Sequence, residues 1–246
     1  MEEIFFEIFE SLPRQGPGDK ASTEKAFRML RELPEHPEIL DVGCGTGSQT
    51  LMLAKLTPGS ITALDNHAPF IETLEREIQR GDRAGKIHCV VGDMASMSFK
   101  DASFDLIWSE GAAYIMGFGQ ALEAWKPLLR PNGHMVVSEL VWFKEHPPQE
   151  IGNFFNEEYP DMKYYKEIYP VLESAGYKVI DYFPLPDASW WTDYYGPAEK
   201  KIAEMRQKYR DDEAQGIFDS FQLEIDMHNR YSKYYGYGFY IMQKKD

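Results

Sequence analysis

The sequence predicts an α/β fold in which helices cover both faces of a doubly wound, mostly parallel sheet of seven strands. Short apolar or β-branched runs alternate along the chain with segments of helical periodicity, as in sheets built from right-handed crossovers. The chain has 246 residues, 43% of them hydrophobic and 14% aromatic, which is enough for one large domain with a sizeable core.

Seven runs have the composition of buried strands. They are 38–42, 60–65, 86–91, 104–109, 133–141, 177–183 and 237–242. Between the second and third runs, Ile71, Leu74 and Ile78 are spaced as on one face of a helix. Pro69 and Gly81 mark the two ends of that helix.

We expect a single domain over residues 1–246 with two insertions. The stretches 143–160 and 184–235 are rich in proline, aromatic and charged residues and do not follow the alternation; the second is long enough for two or three helices. The remaining parts are a helical leader, 1–33, and core segments 36–142, 161–183 and 236–246. Insertions after strands lie at the sheet edge where ligands bind, so we expect a lid there, with packing accessories as the alternative.

Charge and cysteine content limit the class of protein. The formal net charge is −14, which opposes binding to a nucleic-acid backbone, and no basic patch offsets it. No apolar run is long enough to span a membrane, and the start "MEEIFFEIFE" is acidic where a signal peptide would be basic. The two cysteines are too few for a disulfide framework. We therefore expect a soluble, cytoplasmic protein without nucleic-acid or membrane partners.

The stretch "EILDVGCGTGSQT" places three glycines directly behind the first strand. Such a cluster indicates a tight turn or a close approach of the backbone to a ligand. Gly43, Gly45 and Gly47 do not have the spacing of the dinucleotide fingerprint, which requires glycine where Ser48 stands.

Acidic residues follow the next two strands. Asp65 ends the second strand, where a carboxylate can accept hydrogen bonds from both hydroxyls of a ribose. The third strand leads into "GDM", in which Asp93 and Met94 could hold an exocyclic amine and an adenine face. Asp41 and Asp93 could instead cap a turn or a short helix.

These motifs together resemble the class I S-adenosylmethionine-dependent methyltransferases. The resemblance is strong over residues 38–140, through "LDVGCGTG", "ITALDNH", "VVGDMASMSFKDASFDLIWS" and "LLRPNGHMVV", and looser over 177–242. It implies a Rossmann-like methyltransferase fold, S-adenosyl-L-methionine as cofactor and no metal.

The resemblance also implies which residues contact the cofactor. Asp41, Gly43, Gly45 and Gly47 would line the methionine part, Asp65 the ribose, Asn66, Asp93 and Met94 the adenine, and Ser109 to Gly111 would pass beneath the sulfonium. Similar enzymes often fold a leader over the cofactor, so Arg14, Gln15 and Gly16 are candidate contacts to its carboxylate, with an ordinary linker as the alternative. The helix that begins near Ser48 would offer its positive end to that carboxylate.

Glu110 and Tyr114 are the candidate catalytic residues. They follow the fourth strand, where they would face the methyl group. Glu110 could act as a base, bind a substrate amine or cap a helix. Glu139, inside a strand expected to be buried, is either paired with another group or points into the pocket.

The acceptor is predicted by exclusion to be a small molecule. The fourth strand lacks the Asn/Asp-Pro-Pro-aromatic motif of the usual exocyclic-amine DNA and RNA methyltransferases, which excludes those substrates. The small number of cysteines argues against a thiophilic acceptor. In "DASWWTDYYGP", Trp190, Trp191, Tyr194 and Tyr195 offer aromatic surface to an apolar or cationic acceptor, or pin the insertion to the core. A nicotinamide-dependent oxidoreductase and a cofactor-binding protein without transfer activity stay open as alternatives.

Overall fold

A computed structural model describes residues 2–81 and 85–245 of the chain. A single sheet runs through it in the order β3-β2-β1-β4-β5-β8-β7. Its strands are β1 (Glu38–Val42), β2 (Ser60–Asp65), β3 (Ile87–Val91), β4 (Phe104–Glu110), β5 (Leu129–Trp142), β6 (Lys163–Tyr164), β7 (Tyr177–Pro184) and β8 (Tyr235–Lys244). β1 to β5 are mutually parallel along this path, and β8 is antiparallel to both β5 and β7.

The predicted α/β fold and its mostly parallel sheet are confirmed. Two differences concern β5 and β6. β5 begins earlier than predicted because the turn-forming residues Pro131, Asn132 and Gly133 lie within an irregular part of the strand, where the pairing with β4 shifts register and Asn132 has φ +59°. β6, which pairs with the end of β5, was not predicted, because its two residues are too few to form a periodic pattern in the sequence.

Helices connect the strands and cover the sheet. They are α1 (Glu2–Glu10), α2 (Lys20–Met29), α3 (Ser48–Leu56), α4 (Ala68–Arg80), α5 (Phe118–Trp125), α6 (Gln149–Glu158), α7 (Tyr165–Ser174), the short α8 (Ala188–Trp190), α9 (Gly196–Lys208) and α10 (Asp212–Tyr231). A π-helical turn over Trp191–Tyr195 joins α8 to α9. None of the helices in the described ranges has the length and apolar content needed to cross a bilayer.

Two apolar cores lie on the two faces of the sheet. One contains side chains from α1, α3, α4, α9 and α10, for example Ile8, Leu53 and Phe218. The other contains side chains from α5 and α7, for example Trp125 and Leu172. The helical insertions predicted at 143–160 and 184–235 are present as α6 and as α8 to α10, and most of the second packs into the first core.

Candidate active site

A cavity of about 740 Å³ opens at the carboxyl ends of β1, β2, β3 and β4. This is the edge of a doubly wound sheet at which ligands bind, and the volume lies within the range of small-molecule pockets. The leader lines one side of the cavity through α1 and residues 14–17, and the insertions line another through α6, the 190–195 segment and α10. The cavity therefore brings together the glycine turn and the two inserted segments.

The glycine turn needs residues without side chains. Gly43, Gly45 and Gly47 have φ of +70°, +55° and +86°. A Cβ on Gly45 would lie 2.5 Å from Gln15 Oε1, and one on Gly47 would lie 2.2 Å from Leu74 Cδ1. The left-handed backbone and these close neighbours explain why glycine is required here. The turn leads straight into α3, whose first residue, Ser48, lines the cavity.

Asp41 and Asp65 have different surroundings. Asp41 is fully buried and accepts hydrogen bonds from Thr50 Oγ1 at 2.5 Å and from Gln49 Nε2 at 3.4 Å, so it fastens the first turn of α3 to β1. Burial raises its pKa to about 7. Asp65 lines the cavity and accepts backbone N–H bonds from Gly45 at 2.8 Å and from His67 at 2.9 Å. A carboxylate has about four acceptor positions, so Asp65 retains capacity for a ligand.

Met94 and Asn66 line the cavity beside Asp93, whose Oδ1 accepts the backbone N–H of Ala95 at 2.8 Å. Phe6 of the leader also lines this region and stacks on the imidazole of His67, with ring centroids 3.8 Å apart. His67 precedes α4 as its N-cap residue and contacts Glu10 Oε1 at 2.7 Å. The leader is thereby tied to the loop after β2.

Arg14 and Glu110 form an enclosed ion pair in the cavity wall. Arg14 Nη2 donates to Glu110 Oε2 at 2.8 Å, and the two side chains are 6% and 1% exposed. Glu110 Oε1 accepts from Thr23 Oγ1 at 2.7 Å and from Trp108 Nε1 at 2.9 Å. Glu110 therefore accepts bonds from three neighbours and caps no helix. Nε and Nη1 of Arg14 are buried and have no hydrogen-bond partner among the described residues.

Aromatic side chains surround the other part of the cavity. Trp190, Tyr194 and Tyr195 line it together with Tyr235 and Tyr237 of β8. Tyr114, which is 42% exposed, lines it too and faces Tyr159 with ring centroids 5.8 Å apart.

Two acids lie among these rings. Glu139 is 1% exposed and accepts a hydrogen bond from Tyr159 O–H at 2.5 Å, and its second oxygen, Oε2, has no partner among the described residues. Burial raises the pKa of Glu139 to about 8. Glu224 of α10 lines the cavity and accepts a hydrogen bond from Tyr195 O–H at 2.8 Å.

Most of the residues singled out from the sequence line this one cavity. They are Arg14, Gln15, Gly16, Gly43, Gly45, Asp65, Asn66, Asp93, Met94, Glu110, Gly111, Tyr114, Trp190, Tyr194 and Tyr195. Five others do not line it: Asp41, Gly47, Ser109, Glu139 and Trp191. Gln15 supports the turn, since its Oε1 accepts from Thr46 N–H at 2.9 Å. Trp191 packs 5.7 Å from the ring of Tyr195.

Sequence reasoning missed Glu224, Tyr159 and Tyr237 as cavity residues. Glu224 lies three residues after buried Phe221 and four before buried His228, which places it on the apolar side of α10, and this was the available signal. Tyr159 and Tyr237 carry no local signal, because their positions depend on how the first insertion and the last strand meet. Within residues 2–81 and 85–245, no group of three His, Cys, Asp or Glu side chains is placed to hold a metal ion.

Known proteins resemble this chain over the glycine turn and the strands around it. Residues 39–133 match the model of a methyltransferase domain. O-methyltransferase cnsE of Penicillium expansum is 30% identical over 168 residues, which cover 67% of this chain and 59% of cnsE. Ubiquinone/menaquinone biosynthesis C-methyltransferase UbiE of Geotalea daltonii is 28% identical over 173 residues, which cover 69% of each chain.

The fold is found in solved structures. A SAM-dependent methyltransferase from Geobacter sulfurreducens in complex with S-adenosyl-L-homocysteine has a TM-score of 0.84 at 20% identity, covering 100% of this chain and 99% of that one. YjhP from E. coli has a TM-score of 0.85 at 19% identity, covering 99% of this chain and 100% of that one. The sequence matches support the prediction of a class I S-adenosylmethionine-dependent methyltransferase, and the solved structures show that the fold is shared. The cofactor of this family is S-adenosyl-L-methionine, so the matches favour the first of the three functions that the sequence left open.

Proposed function

We propose that this protein transfers a methyl group from S-adenosyl-L-methionine to a small-molecule acceptor. The observation that carries the proposal is one cavity that joins the glycine turn and Asp65 to a chamber of aromatic rings. The first part suits an amino-acid nucleoside, and the second suits a compact organic acceptor. Because the chain spans 59% of the length of cnsE, the activity itself is our inference.

The polar groups of the cavity fit the cofactor. Nε and Nη1 of Arg14 are buried donors without a partner among the described residues, and each can donate a single charge-assisted bond to a carboxylate oxygen. The start of α3 adds the positive end of a helix. We assign the carboxylate to Arg14 and this helix end, the ribose to Asp65, and the adenine to Asn66, Asp93 and Met94.

Other predicted residues support these contacts. We assign Gly43, Gly45 and Gly16 to the surface along the methionine part, whereas Gln15, Gly47 and Asp41 hold the turn and α3 in place. Ser109 lies in β4 directly before Glu110, and we retain it as part of the floor of the site.

The bound cofactor supplies an electrophilic methyl group, so the protein's main contribution is alignment. Glu110 is committed to Arg14, Thr23 and Trp108, and we assign it the task of orienting the Arg14 guanidinium. Tyr114 keeps a partly exposed side chain on the cavity wall, and we assign it to the positioning of the acceptor. Trp190 and Tyr194 exclude water around the acceptor, and Trp191 packs against the neighbouring ring of Tyr195.

We extend the proposal to the architecture and the location. The chain forms one domain over residues 1–246, and the insertions 143–160 and 184–235 act as a lid over the acceptor. A cytoplasmic location and the lack of nucleic-acid and membrane partners follow from the net charge of −14 and the two cysteines. These parts rest on the sequence.

A labelling experiment tests the activity. The protein is incubated with S-adenosyl-L-methionine that carries an isotope-labelled methyl group and with a deproteinised cell extract, and the small molecules are analysed by mass spectrometry. We expect a labelled product with the wild type and much less with Asp65→Ala, which removes the proposed ribose acceptor. A wild-type protein that binds S-adenosyl-L-homocysteine yet labels nothing would instead be a binding protein without transfer activity.

A further inference from the structure

Glu224 is an acid without a cationic partner in the aromatic part of the cavity. Its Oε1 accepts one hydrogen bond, from the neutral hydroxyl of Tyr195 at 2.8 Å. Glu158, at the end of α6, is a second acid on this wall. Over the described ranges, neither acid takes part in an ion pair. The guanidinium of Arg14, on the same cavity, is engaged by Glu110.

A cation bound in this chamber would favour the charged form of Glu224. Burial raises the pKa of Glu224, and the charge of Glu158 adds to the rise. Glu158 is also the last residue of α6, where the helix dipole contributes partial negative charge. Carboxylates that are partly withdrawn from water are normally paired or bonded to several donors, whereas half-buried Glu224 accepts from one donor in the protein. The geometry leaves room for a ligand to supply the missing partner.

Aromatic rings that pack against one another line the same part of the cavity. The centroid of Trp190 lies 5.4 Å from that of Tyr237 and 5.7 Å from that of Tyr195. Tyr194 lies 4.9 Å from Tyr195 and 6.0 Å from Phe221. The faces of such rings carry partial negative charge and attract organic cations, most strongly where water is excluded. A neutral apolar ligand would use the rings but would leave the carboxylate of Glu224 without a partner.

We propose that the methyl acceptor carries an ammonium group, protonated or quaternary, which Glu224 binds within the chamber formed by Trp190, Tyr194, Tyr195 and Tyr237. This inference rests on the proposed function and names the substrate class of the same site. Glu158, exposed near the entrance, attracts the cation toward Glu224. A neutral acceptor that takes a hydrogen bond from protonated Glu224 is the competing arrangement.

A matched pair of probes separates these arrangements. Choline and 3,3-dimethyl-1-butanol have nearly the same shape and differ in charge. Binding of S-adenosyl-L-homocysteine is measured first by calorimetry, and each probe is then titrated into the loaded protein at millimolar concentrations with NMR detection. We expect choline to bind at least about tenfold more tightly than the alcohol, since only choline pairs with the carboxylate. Equal affinity, preference for the alcohol or no choline binding would overturn the inference.

Two variants locate the cation. Glu224→Gln removes the charge and keeps an acceptor for Tyr195 O–H, and we expect it to weaken choline binding at least about tenfold while the alcohol is unaffected. Glu204→Gln makes the same charge change on the exposed side of α9 and should leave choline binding unchanged. An equal loss in both variants, or no loss in Glu224→Gln, contradicts the assignment. If Glu224→Gln fails to fold, the preference of the wild type for choline decides the matter.

The calorimetric titration with S-adenosyl-L-homocysteine distinguishes a failure of the proposed function from a failure of the proposed acceptor class. A protein that does not bind S-adenosyl-L-homocysteine contradicts the proposed function, and the choline preference is then measured on the unloaded protein. A protein that binds S-adenosyl-L-homocysteine but shows no preference for choline keeps its function as a methyltransferase and loses only the ammonium-bearing acceptor.

Discussion

Arg14 and Glu110 illustrate how single residues build this site. Their side chains are 6% and 1% exposed, so each charge depends on the other for compensation. The pair fixes one nitrogen of the guanidinium and leaves Nε and Nη1 free of partners in the described structure. A buried ion pair of this kind orients a binding group more than it stabilises the fold.

Arg14→Ala should therefore lower both stability and cofactor affinity. It leaves Glu110 buried without its charge partner, which costs about 3–5 kcal/mol in the free energy of unfolding. In the double variant Arg14→Ala/Glu110→Gln the unpaired charge is gone, so chemical denaturation should show most of the stability restored. Calorimetry should show that the affinity of the double variant for S-adenosyl-L-homocysteine remains below that of the wild type, because the Arg14 guanidinium is still missing. Restored affinity would mean that Arg14 does not contact the cofactor.

Glu139 makes stability depend on pH. Burial raises its folded-state pKa from the ordinary value of 4.5 to about 8, so the folded protein holds this proton more tightly than the unfolded chain does. The stability that this tighter proton binding gives the folded protein is fully present below pH 4.5 and is lost as the pH rises through about 8. Asp41, with a pKa raised to about 7, acts in the same direction.

Glu139→Gln tests this dependence. Between the two pKa values, each such group lowers the unfolding free energy by at most about 1.4 kcal/mol per pH unit. Urea denaturation from pH 5 to 8 should therefore show a shallower decline in the variant than in the wild type. Parallel curves would mean that Glu139 is ionised in the folded protein at neutral pH.

At the scale of elements, the glycine turn joins β1 to α3 and depends on close packing. Gly47 has φ +86°, and a Cβ there would meet Leu74 of α4. Gly119 in α5 offers a matched control, since a Cβ on it has no neighbour within 4 Å.

Gly47→Ala should destabilise the protein by at least about 2 kcal/mol, because it adds backbone strain and overpacking. Gly119→Ala should be neutral or slightly stabilising, because alanine favours a helix over glycine. The melting temperatures of the two variants and the wild type are compared by thermal unfolding. Equal melting temperatures would show that the turn tolerates a side chain at position 47.

Local patterns explain why the strands were predictable and parts of the site were not. β1 to β4 have apolar runs bounded by turn residues, and the sequence placed each within one residue at either end. Gly43, Gly45 and Asp65 were recognisable from short local patterns, namely a glycine cluster directly after β1 and an acid at the end of β2. Glu224 and Tyr195 are separated by 29 positions, and Arg14 and Glu110 by 96. No local sequence pattern therefore predicts that the members of either pair are in contact.

At the scale of the molecule, the leader joins the glycine turn to the second insertion. Gln15 contacts Thr46 in the turn, and the N–H of Arg14 donates to Asp193 O at 3.3 Å. Gly18 N–H donates to Ser189 O at 3.1 Å, and Ser189 also contacts Asp19. A ligand held by Arg14 would therefore stabilise the leader and the insertion together.

Hydrogen exchange measures this coupling. Addition of S-adenosyl-L-homocysteine should slow amide exchange in residues 14–18 and 189–195 together, because opening of either segment disrupts bonds to the other. Residues 212–216 at the start of α10, which contribute no residue to the cavity lining, serve as the internal reference. Protection confined to the glycine turn would show that the leader and the insertion open independently of the cofactor.

The most direct test of the account is whether the fold selects the methyltransferase cofactor. Thermal unfolding is followed with saturating S-adenosyl-L-homocysteine and, separately, with NAD. At a concentration about 100 times its dissociation constant, S-adenosyl-L-homocysteine should add about 2.7 kcal/mol of stability and raise the melting temperature, while NAD leaves it unchanged. An unchanged melting temperature with S-adenosyl-L-homocysteine, or a rise with NAD alone, would contradict the assignment of the cavity.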